Sequence, residues 1–419
     1  MIGDRAGEDV VDAFLREAHL TAPHEVADMV ARHAGALGLT DTVAYLVDLQ
    51  QTVLTPLVGV AGPGPDRQLD PLAVDSTLAG RSFQFVEVLT QATTGGLRAW
   101  LPLLDGTERL GVLGVTLPAP ARLDEDLAAL LRRFASLVAE IVVSKTLYGD
   151  TLVLARRQRQ LGLAAELQWS LLPPLTFASR QVTIAGALEP AYDVAGDSVD
   201  YAVDAGIVRF AAFDGMGHGL HSAQLAALAV AAYRNARRGE RSLTETIASI
   251  DEAVSTVGAG SFVTAVVAEL DTETGLLSWV NVGHPEPVLL RGRQSVKSLR
   301  VRPTLPFGIS RQLGRDGPEV VVGTERLEPG DRVLVHTDGV TEIRSPAGEF
   351  YGTQRLTDLL TSNLAAGLPT PETMRRLVRA LLEHQQGQLR DDATMLLVEW
   401  LAGNEAANVP TGPADLPQP

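Results

Sequence analysis

The 419-residue chain is 45% hydrophobic and 21% charged, enough apolar material for packed cores and too much length for one of them, so two or three domains are expected. With 35 basic against 51 acidic residues, net −16, it opposes binding to nucleic acid or an anionic lipid surface, and the absence of cysteine removes disulfides, thiolate metal sites, cysteine nucleophiles and cysteine-borne lipid anchors. No apolar stretch approaches the roughly 20 residues that span a bilayer, and "MIGDRAGEDVVDAF" lacks the basic-then-apolar order of a signal peptide, so a soluble cytoplasmic protein without membrane contact is expected.

In chain order, residues 8–145 begin with two helical patterns, "EDVVDAFLREAHL" and "HEVADMVARHAGALG". Strand patterns follow in "TVAYLVDL", "FQFVEVLT", "LRAWLPLL" and "RLGVLGVTL", the last two joined by "DGTE", a hairpin turn. A long helix, "LDEDLAALLRRFASLVAEIVVSKTLY", closes the segment. Helix, antiparallel strands, helix is an order that resembles a GAF domain, a small α+β sensory module, and "DGTERLGVLGVTLP" adds to the resemblance. It implies a small-molecule or protein signal at this module, although no haem, iron-sulfur or nucleotide fingerprint is present.

Along residues 124–172, Leu127, Leu130, Phe134, Leu137 and Ile141 keep the three-and-four spacing of a coiled-coil seam, and Leu147, Leu154 and Leu161 recur every seven residues. The spacing predicts a helical connector over 146–179 that pairs with its copy in a homodimer. Gly149 and Gly162 weaken a continuous helix by about 1 kcal/mol each, and the first part of the seam can instead pack on its own domain. From 180 to 401 strands and turns alternate with longer helical stretches, "HSAQLAALAVAAYRNARR", "LTETIASIDEAVSTV" and "TPETMRRLVRALLEHQ", which implies sheets carrying helices on their outer faces. The proline-rich end, 402–419, lacks a core pattern and is expected to be disordered.

The chemistry concentrates in aspartates at strand ends. "GIVRFAAFD" is an apolar run that ends in Asp214, followed by the glycines of "GMGHG" and a helical pattern. A carboxylate there needs a partner to offset its desolvation, and glycines let backbone groups approach that partner. Asp197 in "AYDVAGDSVDYAV", Asp338 in "RVLVHTDGVTE", and Asp391 and Asp392 in "LRDDATMLLVEW" recur in the same setting. Each alone reads as a turn or cap. Together they would supply hard oxygen ligands, the set preferred by magnesium and manganese rather than zinc.

The ordered set "LAAELQWSLLPP", "YDVAGDSVDY", "FDGMGHG", "NVGHPEP", "LPFGI", "HTDGVTE", "GEFYG" and "RDDAT" resembles the SpoIIE-type branch of the PPM metal-dependent protein phosphatases over about residues 160–400. The resemblance implies a β-sandwich flanked by helices with a two-metal centre, Mn2+ or Mg2+, at one end. Asp214 then matches the bridging ligand, the Gly215 carbonyl a backbone ligand, Asp197 a ligand of one ion, and Asp338 and Asp391 ligands of the other, with Asp392 the weaker claimant. It implies direct hydrolysis of phosphoserine or phosphothreonine on a STAS-domain anti-sigma-factor antagonist in bacterial partner switching. The competing reading is a catalytically silent phosphoprotein-binding scaffold, against which the retained aspartates argue. Three departures stand out: Met216 where many relatives carry a histidine general acid, Val199 where an aromatic is common, and "AGD" for "GGD". His218 is then a candidate proton donor and His284 a residue that holds a loop.

Overall fold

A computed structural model describes residues 4–60, 69–120, 122–189, 192, 196–292, 295–386 and 392–401. These divide into two compact units, one ending at Arg159 and one beginning at Gln160. Asp391 and the segment 402–419 lie outside the described residues. Among the described residues no helix is long and apolar enough to cross a membrane.

In the first unit, helices α1 (Asp4–Ala18) and α2 (Val26–Ala36) lead to strands β1 (Thr40–Val47), β2 (Val53–Pro56) and β3 (Leu72–Ala73). Helix α3 (Leu78–Phe85), strands β4 (Leu89–Thr93), β5 (Gly96–Asp105) and β6 (Glu108–Pro118), and helices α4 (Glu125–Thr146) and α5 (Thr151–Ala155) follow. The strands form an antiparallel sheet ordered β3-β2-β1-β6-β5-β4. Strand alternation gives β1 two apolar faces: Ala44 and Leu46 pack toward α1, α2 and α4, while Val43, Tyr45 and Val47 pack toward Phe83 of α3. The expected β5–β6 hairpin is present, with Asp105 paired to Glu108 across its turn.

Two expectations for this unit are corrected. The "FQFVEVLT" stretch is not one strand, because Thr77 caps a helix by accepting the Gly80 N–H at 3.0 Å, Phe83 fills the second core, and Val86 ends the helix in the left-handed region at φ 59°. Residues 146–179 are not one helical connector either: α4 stops at Thr146, α5 is one short piece, and the next helix starts only at Leu163. Leu147 and Leu154 are exposed whereas Leu161 is buried, so the seven-residue recurrence is not a common face. The break has a local cause, since Leu152 enters the first unit's core and the Arg156 carbonyl accepts the Leu49 N–H at 3.1 Å, folding the chain back on β1. On α4 the fully buried line runs through Leu131, Phe134, Ala135, Val138 and Val142 against its own sheet, with Leu127, Leu130, Leu137 and Ile141 along its margin.

The second unit opens with α6 (Leu163–Leu171), β7 (Thr176–Ala178), β8 (Val182–Glu189), β9 (Asp197–Asp204), β10 (Ile207–Gly215), α7 (Leu220–Arg238) and α8 (Leu243–Ser255). It continues with β11 (Val263–Asp271), β12 (Leu276–Val282), β13 (Val288–Arg291), β14 (Ser295–Ser298), α9 (Ile309–Gln312), β15 (Gly323–Arg326) and β16 (Arg332–His336). The last elements are α10 (Gly339–Glu342), α11 (Gly352–Ala365), α12 (Thr370–His384) and β17 (Ala393–Trp400). Two antiparallel sheets result, ordered β15-β12-β11-β10-β9 and β14-β13-β16-β17-β8-β7.

The sheets face each other across one apolar core. Val199, Val208, Phe210, Ala212, Val266 and Trp279 of the first meet Ile184, Val333, Val335, Leu396 and Val398 of the second. On the outer side of the first sheet, Ala211, Phe213 and Val267 pack against α7 and α8; on the outer side of the second, Leu334, Met395 and Leu397 pack against α11 and α12. This is a β-sandwich with helices on both outer faces. Asp200, turned toward α7, is buried between Arg234 at 2.6 Å and Arg237 at 3.0 Å, and Arg234 also donates to the Leu171 carbonyl at the end of α6.

Candidate metal centre

The period-two alternation that builds the sandwich also builds the site. On β10 the inward residues are Val208, Phe210 and Ala212, and the next inward position is Asp214. Counting back from Val199 on β9 gives Asp197, and forward from Val333 and Val335 on β16 gives Thr337. Counting back from Val398 and Leu396 on β17 gives Thr394 and then Asp392. Antiparallel pairing brings these positions to one end of the sandwich: Asp214 is the ladder partner of Asp197 on one side and of Thr264 on the other.

Contacts between the sheets close this end. Thr337 Oγ1 donates to Asp197 Oδ2 at 2.6 Å, and the Gly196 N–H donates to Asp392 Oδ2 at 2.8 Å. The Gly215 N–H donates to the Gly196 carbonyl at 2.9 Å, and a Cβ on Gly196 would lie 2.5 Å from the Gly215 carbonyl oxygen, so only glycine permits this approach. The first turn of α10 is pressed onto the residue that precedes β17 in the same way, because a Cβ on Gly339 would overlap the Asp392 carbonyl. Asp338, at the N-cap of α10, is thereby held beside Asp392 with its side chain exposed, its carbonyl accepting the Thr341 and Glu342 N–H groups.

The electrostatics are those of one desolvated carboxylate crowded by others. Asp197 is 2% exposed, and burial, with the charges of Asp392 and Asp214 beside it, raises its carboxyl well above the usual range; the Thr337 hydrogen bond opposes this. His284 sits at the far side of Asp214's neighbour, its Nδ1 2.9 Å from Thr264 Oγ1, with its backbone clamped by Asn281 through bonds of 2.8 Å and 2.7 Å. Burial drives the His284 imidazolium down to about 3, so it is neutral at physiological pH and serves as a brace.

Of the positions singled out in the sequence, the structure brings together Asp197, Asp214 and Gly215 and places Asp338 beside them. Asp391 lies outside the described residues. Met216 is half-buried and His218 exposed in the turn after β10, and Val199 is fully buried in the sandwich. Among the described residues, no three acidic or imidazole side chains form a metal-holding group on their own. The donor set nevertheless fits a hard divalent cation: oxygen ligands only, with like charges gathered around the buried Asp197, an arrangement that a cation relieves. Sequence reasoning missed Thr337 and the Gly196–Asp392 contact; the inward parity of β16 and β17, carried one step past their apolar residues, identifies both positions.

Residues 204–401 match the family model for Stage II sporulation protein E (SpoIIE). The chain is 32% identical over 146 residues to Protein IcfG of Synechocystis sp., covering 33% of this chain and 20% of that protein. It is 22% identical over 240 residues to Phosphoserine phosphatase RsbU of Bacillus subtilis, covering 57% and 69%. The chain thus spans about a fifth of the first relative's length and about two thirds of the second's. Similar solved structures include the RsbU and RsbW domains of a Mycobacterium tuberculosis protein, at 24% identity, TM-score 0.45 and coverage of 53% and 60%, and the SiaA-PP2C domain of Pseudomonas aeruginosa, at 21%, 0.47, 56% and 94%. Over residues 204–401, a little under half of its length, the chain is therefore similar to the SpoIIE family.

Proposed function

We propose that the protein is a metal-dependent phosphoserine/phosphothreonine protein phosphatase. The observation that carries this reading is the buried Asp197 carboxylate crowded by the like charges of half-buried Asp214 and Asp392, at the end of a sandwich that matches SpoIIE from residue 204 onward. Asp214, Asp197, the Gly215 carbonyl, Asp338 and Asp391 would hold two Mn2+ or Mg2+ ions, which when bound supply a water of lowered pKa and offset the charge of a phosphoryl group. The residues themselves orient and exclude. Asp214 and Asp197 are fixed by ladder pairing, and the sandwich core beneath them shuts out bulk water on that side. Leaving-group protonation falls to solvent or to exposed His218, since His284 is neutral and buried.

The substrate class is a phosphorylated STAS-domain anti-sigma-factor antagonist, a reading supported by the likeness to RsbU, itself named a phosphoserine phosphatase. The first unit acts as a GAF-like sensory module, in keeping with its six-stranded antiparallel sheet among the described residues and helices on both faces. We place the protein in the cytoplasm as a homodimer. The test is hydrolysis of an aryl phosphate and of a phosphorylated STAS protein by the full chain. Turnover should require added Mn2+ or Mg2+ and vanish in excess EDTA, and undiminished hydrolysis in EDTA would overturn the metal reading.

A further inference from the structure

The hydroxyl of Thr337 occupies an unusual place in the second sheet. Strands β16 and β17 pair in register up to His336 and Met395, and the next pair is Thr337 with Thr394. There only half of the ladder is backbone: the Thr337 N–H donates to the Thr394 carbonyl at 3.0 Å, but the Thr394 N–H returns to Thr337 Oγ1, also at 3.0 Å. The Thr337 carbonyl is instead taken by His336 Nδ1 at 2.9 Å and by the Val340 N–H at 3.2 Å. By standing in for the carbonyl, the side chain lets the backbone peel away into Asp338 and α10 without leaving the last N–H of the ladder unpaired.

This substitution also fixes a proton. An amide N–H can only donate, so Thr337 Oγ1 accepts from Thr394, and its single hydroxyl proton is left for Asp197 Oδ2, 2.6 Å away on the opposite sheet. Both residues are sealed from solvent, so the bond is not diluted by water.

We infer that Thr337 is a positioning residue: its hydroxyl, oriented by Thr394, locks the Asp197 carboxyl group of one sheet to the Asp338 turn of the other, pre-setting the site for divalent cations. This rests on the two-metal reading above and adds to it a residue that touches neither metal nor substrate. Partners behind a metal ligand typically govern about 10–100-fold in metal affinity.

The experiment is calorimetric titration of the full chain with Mn2+, wild type against Thr337→Val, Thr337→Ser and Thr337→Cys, each checked for fold by circular dichroism. Thr337→Val keeps the shape without the hydroxyl and should bind Mn2+ roughly 10–100-fold more weakly. Thr337→Ser keeps the hydroxyl and should bind within about threefold of wild type, which converts to less than about 1 kcal/mol. A folded Thr337→Val that binds like wild type, or a Thr337→Ser as weak as Thr337→Val, overturns the inference while leaving the metal reading intact. If Thr337→Val does not fold, the Ser and Cys variants decide. The thiol is a weak donor and should bind at least about tenfold more weakly than the serine; equality would overturn the inference. A wild-type protein that binds no Mn2+ removes the metal reading itself, and the inference with it.

Discussion

Replacing Asp197 with asparagine should make the metal-free protein more stable while destroying its activity. In the folded chain this carboxylate is 2% exposed, paired across the ladder with Asp214 and close to Asp392. Its folded pKa is raised above the unfolded value, so its contribution to stability is full below about pH 4 and is lost as pH rises through the folded pKa. As the pH rises toward 7.5 the metal-free protein therefore bears a growing cost for holding this carboxyl buried beside like charges. Asparagine removes that charge, a relief of several kcal/mol, and keeps an acceptor for Thr337, losing only about 1 kcal/mol as the charge-assisted bond becomes a neutral one. A net gain of about 2 kcal/mol corresponds to roughly 4–8 °C in the melting of a unit of this size. Scanning calorimetry in EDTA at pH 7.5 should show Asp197→Asn melting above wild type, with the difference closing below about pH 4. With Mn2+ at a hundredfold excess over Kd, wild type gains about 2.7 kcal/mol and overtakes the variant, which gains little. An Asp197→Asn protein that melts below wild type in EDTA, or gains as much from Mn2+, would refute the crowded-carboxylate account.

Asp391→Asn should cost far more turnover than Asp392→Asn, because an asparagine at 392 can still accept the Gly196 N–H through its amide oxygen; we expect a loss of about tenfold at 392. The opposite ranking in a Mn2+-dependent phosphatase assay would move the ligand to Asp392. His284, lowered to about 3 by burial, takes up a proton on unfolding below pH 6.5, so its stabilising contribution is complete above that pH and drains away as pH falls toward 3. Urea unfolding of His284→Gln should accordingly show a flatter dependence than wild type between pH 7.5 and 5, by up to about 1.4 kcal/mol per pH unit; parallel curves would show that the imidazole is not what titrates.

Much of the second unit was legible because its physics is local. The apolar runs ending at Phe213 and Val335 exit into an Asp-Gly, directly in the first and after His336-Thr337 in the second, and strand alternation alone places Asp214 and Asp197 on the same side as the core residues that precede or follow them. The order of motifs, read against a known family, then assigned roles that composition could not.

What the sequence misjudged was decided by tertiary contacts. The leucines at 147, 154 and 161 fit a heptad, yet Leu152 and the Arg156 carbonyl find partners in the first unit, and burying those groups outweighs a helical period interrupted by Gly149 and Gly162. "FQFVEVLT" has strand composition, but a cap at Thr77 and a core waiting for Phe83 make its first half a helix. Thr337 is an ordinary threonine in sequence; only the approach of two sheets, 140 positions apart along the chain, turns its hydroxyl toward Asp197. The sequence by itself determined the alternation, the turns and the residue types of the site, because these depend on neighbours in the chain. Which carboxylate is crowded, and which hydroxyl holds it, depends on strands brought together from distant parts of the chain, and only the folded sandwich decided that.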